Sequence, residues 1–281
     1  DYYGNVQFSK NTGTINNPVF ANPIANPFGL KDVGFNANPT FVDIDGDGDL
    51  DAFVGNASYP TGGGDTIFFK NTGSASNPVF AAPVANPFGL TNAGRNASPS
   101  FTDIDDDGDM DAFIGTSTGD VLFFGNTGSR NNPVFAAPVT NPFGLSNVGL
   151  DANPEFADID EDGDLDAIVG RDGGTVFFRN TETASDPVFV NIGSNLYGLF
   201  DVGGIESPTL VDIDGDGDLD AFVGDSYAYR FSNGGNTHFF VNNGLLVAST
   251  AGNNVLTGTP ALNDTATYTS AGSGVNVSLL I

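Results

Sequence analysis

FVDIDGDGDLDAFVG, residues 41–55, returns three more times with few changes: FTDIDDDGDMDAFIG at 101–115, FADIDEDGDLDAIVG at 156–170 and LVDIDGDGDLDAFVG at 210–224. Each copy sets aspartates at alternate positions around a glycine and runs straight into an apolar stretch. Carboxylates that dense repel one another unless a positive charge sits among them, and an all-oxygen donor set suits a hard divalent cation. Counted from Asp43, Asp103, Asp158 and Asp212, the copies lie 60, 55 and 54 residues apart. A period of that length marks one supersecondary unit that has been copied.

Other segments keep the same register. A Gly-rich turn follows each loop, then a Phe-rich run: TIFFKNTG from Thr66, VLFFGNTG from Val121, TVFFRNTE from Thr175 and THFFVNNG from Thr237. Three of these lead into NPVFAAPVANPFGL-type segments at Asn77, Asn132 and Asp186, and an Asn-Pro or Ser-Pro pair (Asn38-Pro39, Ser207-Pro208) restarts the unit. The pattern gives four strand candidates per unit: PVF, the run into the loop, the run out of it, and the FF run. The middle two are nearly continuous apolar stretches, as in strands covered on both faces. An all-β fold of four-stranded antiparallel units, each covered by its neighbours, predicts a β-propeller. A sandwich would bury one face of each strand and leaves the strict period unexplained.

Residues 4–30 match residues 119–145, so the chain opens on the last strand of a unit. The expected organisation is a closing strand at 1–13, full units at about 14–73, 74–128, 129–182 and 183–243, and a β-rich tail at 244–281. A partial N-terminal unit suggests ring closure by strand complementation, which would remove exposed edges. TATYTS and VNVSLLI in the tail are strand-like and are expected to help complete a fifth blade. Residue 1 already falls within a repeat, so the chain is read as a piece of something longer.

The chain has 281 residues, 39% of them apolar, with 25 Phe, no Trp and no Cys, so neither disulfides nor thiolate metal sites are available. The net charge of −27 argues against a nucleic-acid partner or an anionic membrane surface. Of the 35 acidic residues, 22 lie inside the four loops, which ties the charge to the repeat rather than to a disordered composition. No apolar run is long enough to span a bilayer.

In the first loop the ladder is Asp43, Asp45, Asp47, Asp49 and Asp51, positions 1, 3, 5, 7 and 9. Positions 1, 3, 5 and 9 are expected to point inward. Gly48 at position 6 permits the turn and the carbonyl of Asp49 adds an oxygen. The side chains of Asp49, Asp109, Asp164 and Asp218 are expected to face solvent. About six hard oxygens with no His or Cys favour Ca²⁺ over Zn²⁺, copper or the more strongly hydrated Mg²⁺. An EF-hand is excluded, because position 12 is Val54, Ile114, Val169 or Val223 instead of a bidentate acid.

FADIDEDGDLDAIVGRDGGTVFFRN, residues 156–180, resembles the FG-GAP/VCBS repeats of integrin-like β-propellers, and the resemblance extends over residues 1–243. It implies one Ca²⁺ in each Asp loop, on a blade edge, in a secreted or cell-surface protein. The ligands it implies are Asp43, Asp45, Asp47, Asp49 and Asp51; Asp103, Asp105, Asp107, Asp109 and Asp111; Asp158, Asp160, Asp162, Asp164 and Asp166; and Asp212, Asp214, Asp216, Asp218 and Asp220. Rings of this family usually have more units than the four seen here. The tail resembles the RTX type of secreted Ca²⁺-binding repeat, which implies bacterial secretion.

Catalytic machinery is not apparent. His238 is the single histidine, Ser and Thr have no imidazole to activate them, and a Ca²⁺-bound carboxylate is committed as a ligand. The expected function is a non-enzymatic, Ca²⁺-stabilised structural or adhesive module, pairing with copies of itself or with surface and matrix components. The alternatives are a carbohydrate binder using Phe28, Phe88, Phe143, Tyr197 and Arg95, or a non-catalytic domain of a larger extracellular enzyme. Asn56, Asn263 and Asn276 head glycosylation-type triplets.

Overall fold

A computed structural model describes residues 1–14, 17–57, 63–226 and 236–242. Strands β1 (Gln7–Phe8) and β2 (Ile24–Ala25) pair as a small N-terminal sheet. Four blades follow. Blade 1 comprises β3 (Phe35–Val42), β4 (Asp51–Ala57), β5 (Thr66–Phe69) and β6 (Val84–Ala85). Blade 2 comprises β7 (Ser98–Thr102), β8 (Asp111–Gly115), β9 (Val121–Phe124) and β10 (Val139–Thr140). Blade 3 comprises β11 (Asn153–Ala157), β12 (Asp166–Arg171), β13 (Gly174–Asn180) and β14 (Phe189–Ser194). Blade 4 has three strands among the described residues, β15 (Ile205–Val211), β16 (Asp220–Ser226) and β17 (Thr237–Phe240). All pairings are antiparallel, and the arrangement is the expected β-propeller. No helix among the described residues is long and apolar enough to cross a membrane.

The second strand of each blade shows why its sequence is continuously apolar. In β4, Ala52 and Val54 join a cluster with Val6 and Leu30 of the N-terminal segment, while Phe53 joins the cluster shared with blade 2. In β8 the parity repeats: Ala112 and Ile114 face blade 1, Phe113 faces blade 3. Successive side chains of a strand point to opposite faces, so a strand lying between two neighbours must be apolar at every position. Phe53 meets Phe101 and Phe113 meets Phe156, each with ring centroids 4.3 Å apart, and both Phe53 and Phe113 are fully buried.

Beside these side-chain clusters, part of the seam between blades is main chain. A Cβ on Gly55, Gly115 or Gly170 would overlap the carbonyl oxygen of Ala97, Ala152 or Glu206 in the next blade, so only glycine fits this approach. Phe80 N–H donates to the Phe28 carbonyl at 2.9 Å, and Phe135 N–H to the Phe88 carbonyl at 2.8 Å.

The innermost strands carry the Asn-Pro and Ser-Pro pairs. Proline is tolerated there because these strands have a sheet partner on one side alone. Asn38 Nδ2 donates to Ser98 Oγ at 2.7 Å and to Asn153 Oδ1 at 3.0 Å, linking blades 1, 2 and 3 near the axis. An axial cavity of about 320 Å³ is lined from all four inner strands, with Asn38, Thr40, Ser98, Asn153, Glu155 and Thr209 among its polar walls.

One expectation changes. In blades 1 and 2 PVF is not a strand: Phe80 and Phe135 make isolated bridges to Asn71 and Asn126, and the outer strand is the two-residue β6 or β10 that follows, whereas in blade 3 Phe189 opens the outer strand β14. The N-terminal strand β1 pairs with β2. The expected fifth-blade strands at 244–281 lie outside the described residues.

Replacing Gly115 by Ala is expected to destabilise the protein by about 1–3 kcal/mol through overlap with a backbone carbonyl. Gly125→Ala meets only ordinary contacts and should stay within about 0.5 kcal/mol. Urea denaturation of the two variants checks this; equal midpoints would contradict the seam.

Candidate metal centres

Each Asp loop joins the first and second strands of its blade. Its turn is closed by its own carboxylates. Gly48, Gly108, Gly163 and Gly217, all at φ between 91° and 100°, donate their N–H to the first aspartate of the loop at 3.0–3.3 Å. The fifth position accepts from the seventh, as Asp107 Oδ1 does from Asp109 N–H at 3.0 Å. Position 4 is also left-handed in every copy, even where it is Asp106 or Glu161 in place of Gly46 or Gly215.

The ladder brings its carboxylates together as expected. Candidate ligand oxygens of Asp43, Asp45 and Asp47 lie within 4.8 Å of one another, as do those of Asp103, Asp105 and Asp107, of Asp158, Asp160 and Asp162, and of Asp212, Asp214 and Asp220. The last aspartate of each loop is buried: Asp51, Asp111, Asp166 and Asp220 are at most 5% exposed. One oxygen of each accepts the backbone N–H of Asn71, Asn126, Asn180 or Asn242, at 2.6–2.8 Å, so the loop is tied to the end of the third strand.

The seventh position corrects the sequence reading. Asp109 is buried and Asp49, Asp164 and Asp218 are half-buried, so these side chains do not simply face solvent. Asp49, Asp109 and Asp164 each keep one carboxylate oxygen buried, and the N–H of position 7 is held by position 5 in every loop.

The donor set fits a hard cation on a direct observation. Buried carboxylate oxygens without a hydrogen-bond partner include Asp43 Oδ1, Asp45 Oδ1, Asp49 Oδ1, Asp51 Oδ2, Asp109 Oδ1, Asp160 Oδ1 and Asp164 Oδ1. An unpartnered buried carboxylate oxygen is costly unless something positive compensates it. Burial pushes Asp51 up to about 6 and Asp111 and Asp166 up to about 7, against the N–H donors that lower them.

Sequence reading missed the basic residues at these loops. Lys70 is paired with Asp45 and lies 3.6 Å from Asp47, Arg179 is paired with Asp160, and Arg130 of the adjacent blade lies 3.6 Å from Asp43. The signal was the residue after the FF pair, one column of the repeat. His238 pairs with Asp225 at 3.0 Å, away from the loops. The aromatics at the NPFG turns pack on their own blades: Phe28 on Phe8, Phe88 on Phe68, Phe143 on Phe123 and Tyr197 on Phe177, with centroids 5.0–5.3 Å apart. Asn56 is buried, donates to the Val33 carbonyl and accepts from Asp65 N–H, so it is no glycan acceptor in this fold. Asn263 and Asn276 lie outside the described residues.

Residues 158–223, which hold the third and fourth loops and the strands between them, match the FG-GAP-like repeat family. No curated protein matches the chain. Among solved structures, the chain is similar to one in the Tc holotoxin pore of Photorhabdus luminescens, at 17% identity and a TM-score of 0.33, a likeness too slight to carry any inference. The match covers 79% of this chain and 12% of that one.

In metal-free buffer the folded protein is expected to lose stability as pH rises. Asp51, Asp111 and Asp166 keep protons up to about 6–7, whereas the unfolded chain releases them near 3.8. The folded state therefore binds more protons across that window. Thermal melts at pH 5 and pH 8 check the sign; a higher midpoint at pH 8 without metal would contradict it.

Proposed function

We propose that the chain is a non-enzymatic, Ca²⁺-stabilised propeller module of a secreted or cell-surface protein, with a structural or adhesive role. The observation that carries this is the set of buried, unpartnered carboxylate oxygens in the first three Asp loops. The aspartates at positions 1, 3, 5, 7 and 9 of each loop would hold one ion, about four per chain. Their hard, crowded oxygens suit Ca²⁺. The ion supplies positive charge at the turn between two buried strands, so its part is to complete the fold.

Assembly with copies of itself or with matrix components is supported by the rim. Val84 and Val139 on the outermost strands β6 and β10 are more than half exposed, as are Val79 and Val134 just before them. Blades 1 and 2 thus present short apolar edges outward at equivalent positions, a surface suited to lateral association. The remaining acidic charge disfavours nucleic acid and anionic membranes as partners.

The axial cavity favours carbohydrate binding as a second reading. Its walls combine Asn, Ser and Thr side chains with Phe41 and the single carboxyl of Glu155. Burial raises that carboxyl to about 7, which lets it donate as well as accept near neutral pH.

Ca²⁺ at 100 times its dissociation constant should stabilise the fold by about 2.7 kcal/mol per site, read as a rise in melting temperature over chelated protein. An unchanged midpoint would sink the calcium reading. Electron microscopy of the Ca²⁺-loaded protein should show ordered assemblies; dispersed monomers together with glycan-array binding abolished by Glu155→Gln would favour the second reading.

A further inference from the structure

The four Asp loops carry nearly the same aspartates but not the same surroundings. The residue between the FF pair and the asparagine that grips the loop is Lys70 in blade 1, Gly125 in blade 2, Arg179 in blade 3 and Val241 in blade 4. In blades 1 and 3 this side chain reaches back across the sheet to the third position of its own loop, Lys70 to Asp45 and Arg179 to Asp160. Loop 1 receives a second cation from the adjacent blade, since Arg130 Nη2 lies 3.6 Å from Asp43. Arg130 stands where the other units have Ala75 and Ala184. Loop 2 has no basic partner among the described residues. At loop 4 the neighbour is acidic, Glu161 of loop 3 reaching Asp218.

We infer that Lys70 and Arg179 tune divalent-ion affinity, dividing the loops into two tight sites, 2 and 4, and two weaker ones, 1 and 3. The inference rests on the calcium reading above. That the loops are ion sites and not merely acidic turns is supported separately by Asp51 and Asp109, at least nine-tenths buried, each with an unpartnered oxygen. A tethered ammonium or guanidinium at position 3 already satisfies part of the negative charge that an incoming cation would otherwise claim. It must also stay beside a dication or swing out to solvent, and either course weakens binding. Lys70 and Arg179 are both more than a third exposed, so the swing outward is sterically open. Loop 1, with two basic neighbours, fills last.

Isothermal titration of the metal-depleted chain with Ca²⁺ should resolve two tight and two weaker sites. Lys70→Met and Arg179→Met should each tighten one weak site on the order of tenfold, and Lys70→Arg should leave it weak. Gly125→Lys, at a position where a Cβ meets only ordinary contacts, should weaken one tight site by a similar factor. Circular dichroism at saturating Ca²⁺ identifies any variant that fails to fold, and the gain and loss variants then test the idea from opposite sides. Four equivalent sites in the wild type, or methionine variants with unchanged affinities, would overturn the inference and leave the calcium reading standing. A wild-type chain that takes up no Ca²⁺ would overturn both.

Discussion

One buried carboxylate per blade holds the rest in place. The last aspartate of each loop opens the second strand and accepts the N–H of an asparagine that ends the third. In the first three blades the asparagine side chain then accepts N–H groups from the turn that follows, as Asn71 Oδ1 does from Gly73 and Val79, each at 3.0 Å. Loop, strand pair and outer turn are thereby fixed to one another. The loop cannot relieve its crowded charge by moving away, because moving would break a buried, charge-assisted hydrogen bond. Compensation has to come from outside the ladder, either from an ion or from a side chain that reaches in.

That constraint explains the uneven use of lysine and arginine in a chain with only eight of them. Three of the eight lie against two Asp loops. They are placed by the outer turns and the third strand, the parts of the unit that the carboxylate anchor positions. Charge balance here is a property of the blade as a whole, shared between loop, neighbouring strand and adjacent blade.

Much of this was legible in the sequence because it depends on local pattern. The period, the glycine at position 6 and the doubly apolar second strand each follow from spacing and composition, and the structure shows the propeller they imply. What stayed hidden depends on how segments meet. PVF reads as a strand but in blades 1 and 2 makes an isolated bridge, and the true outer strand, Val84–Ala85, is too short to stand out. The burial of Asp109 depends on how the loop folds over itself, which alternation alone does not reveal. The NPFG aromatics read equally well as ligand contacts or as packing until their partners across the turn are known.

The glycines at the seams have a consequence for how the blades are spaced. Where Gly55 meets Ala97 and Gly115 meets Ala152, backbone rests on backbone, and the bonds from Phe80 to Phe28 and Phe135 to Phe88 are likewise side-chain-blind. A joint of that kind sets how closely two blades approach, while the rings packed beside it, Phe53 on Phe101 and Phe113 on Phe156, set what fits there. Because the glycine recurs at Gly55, Gly115 and Gly170, successive units meet at one spacing even where their loops differ in charge.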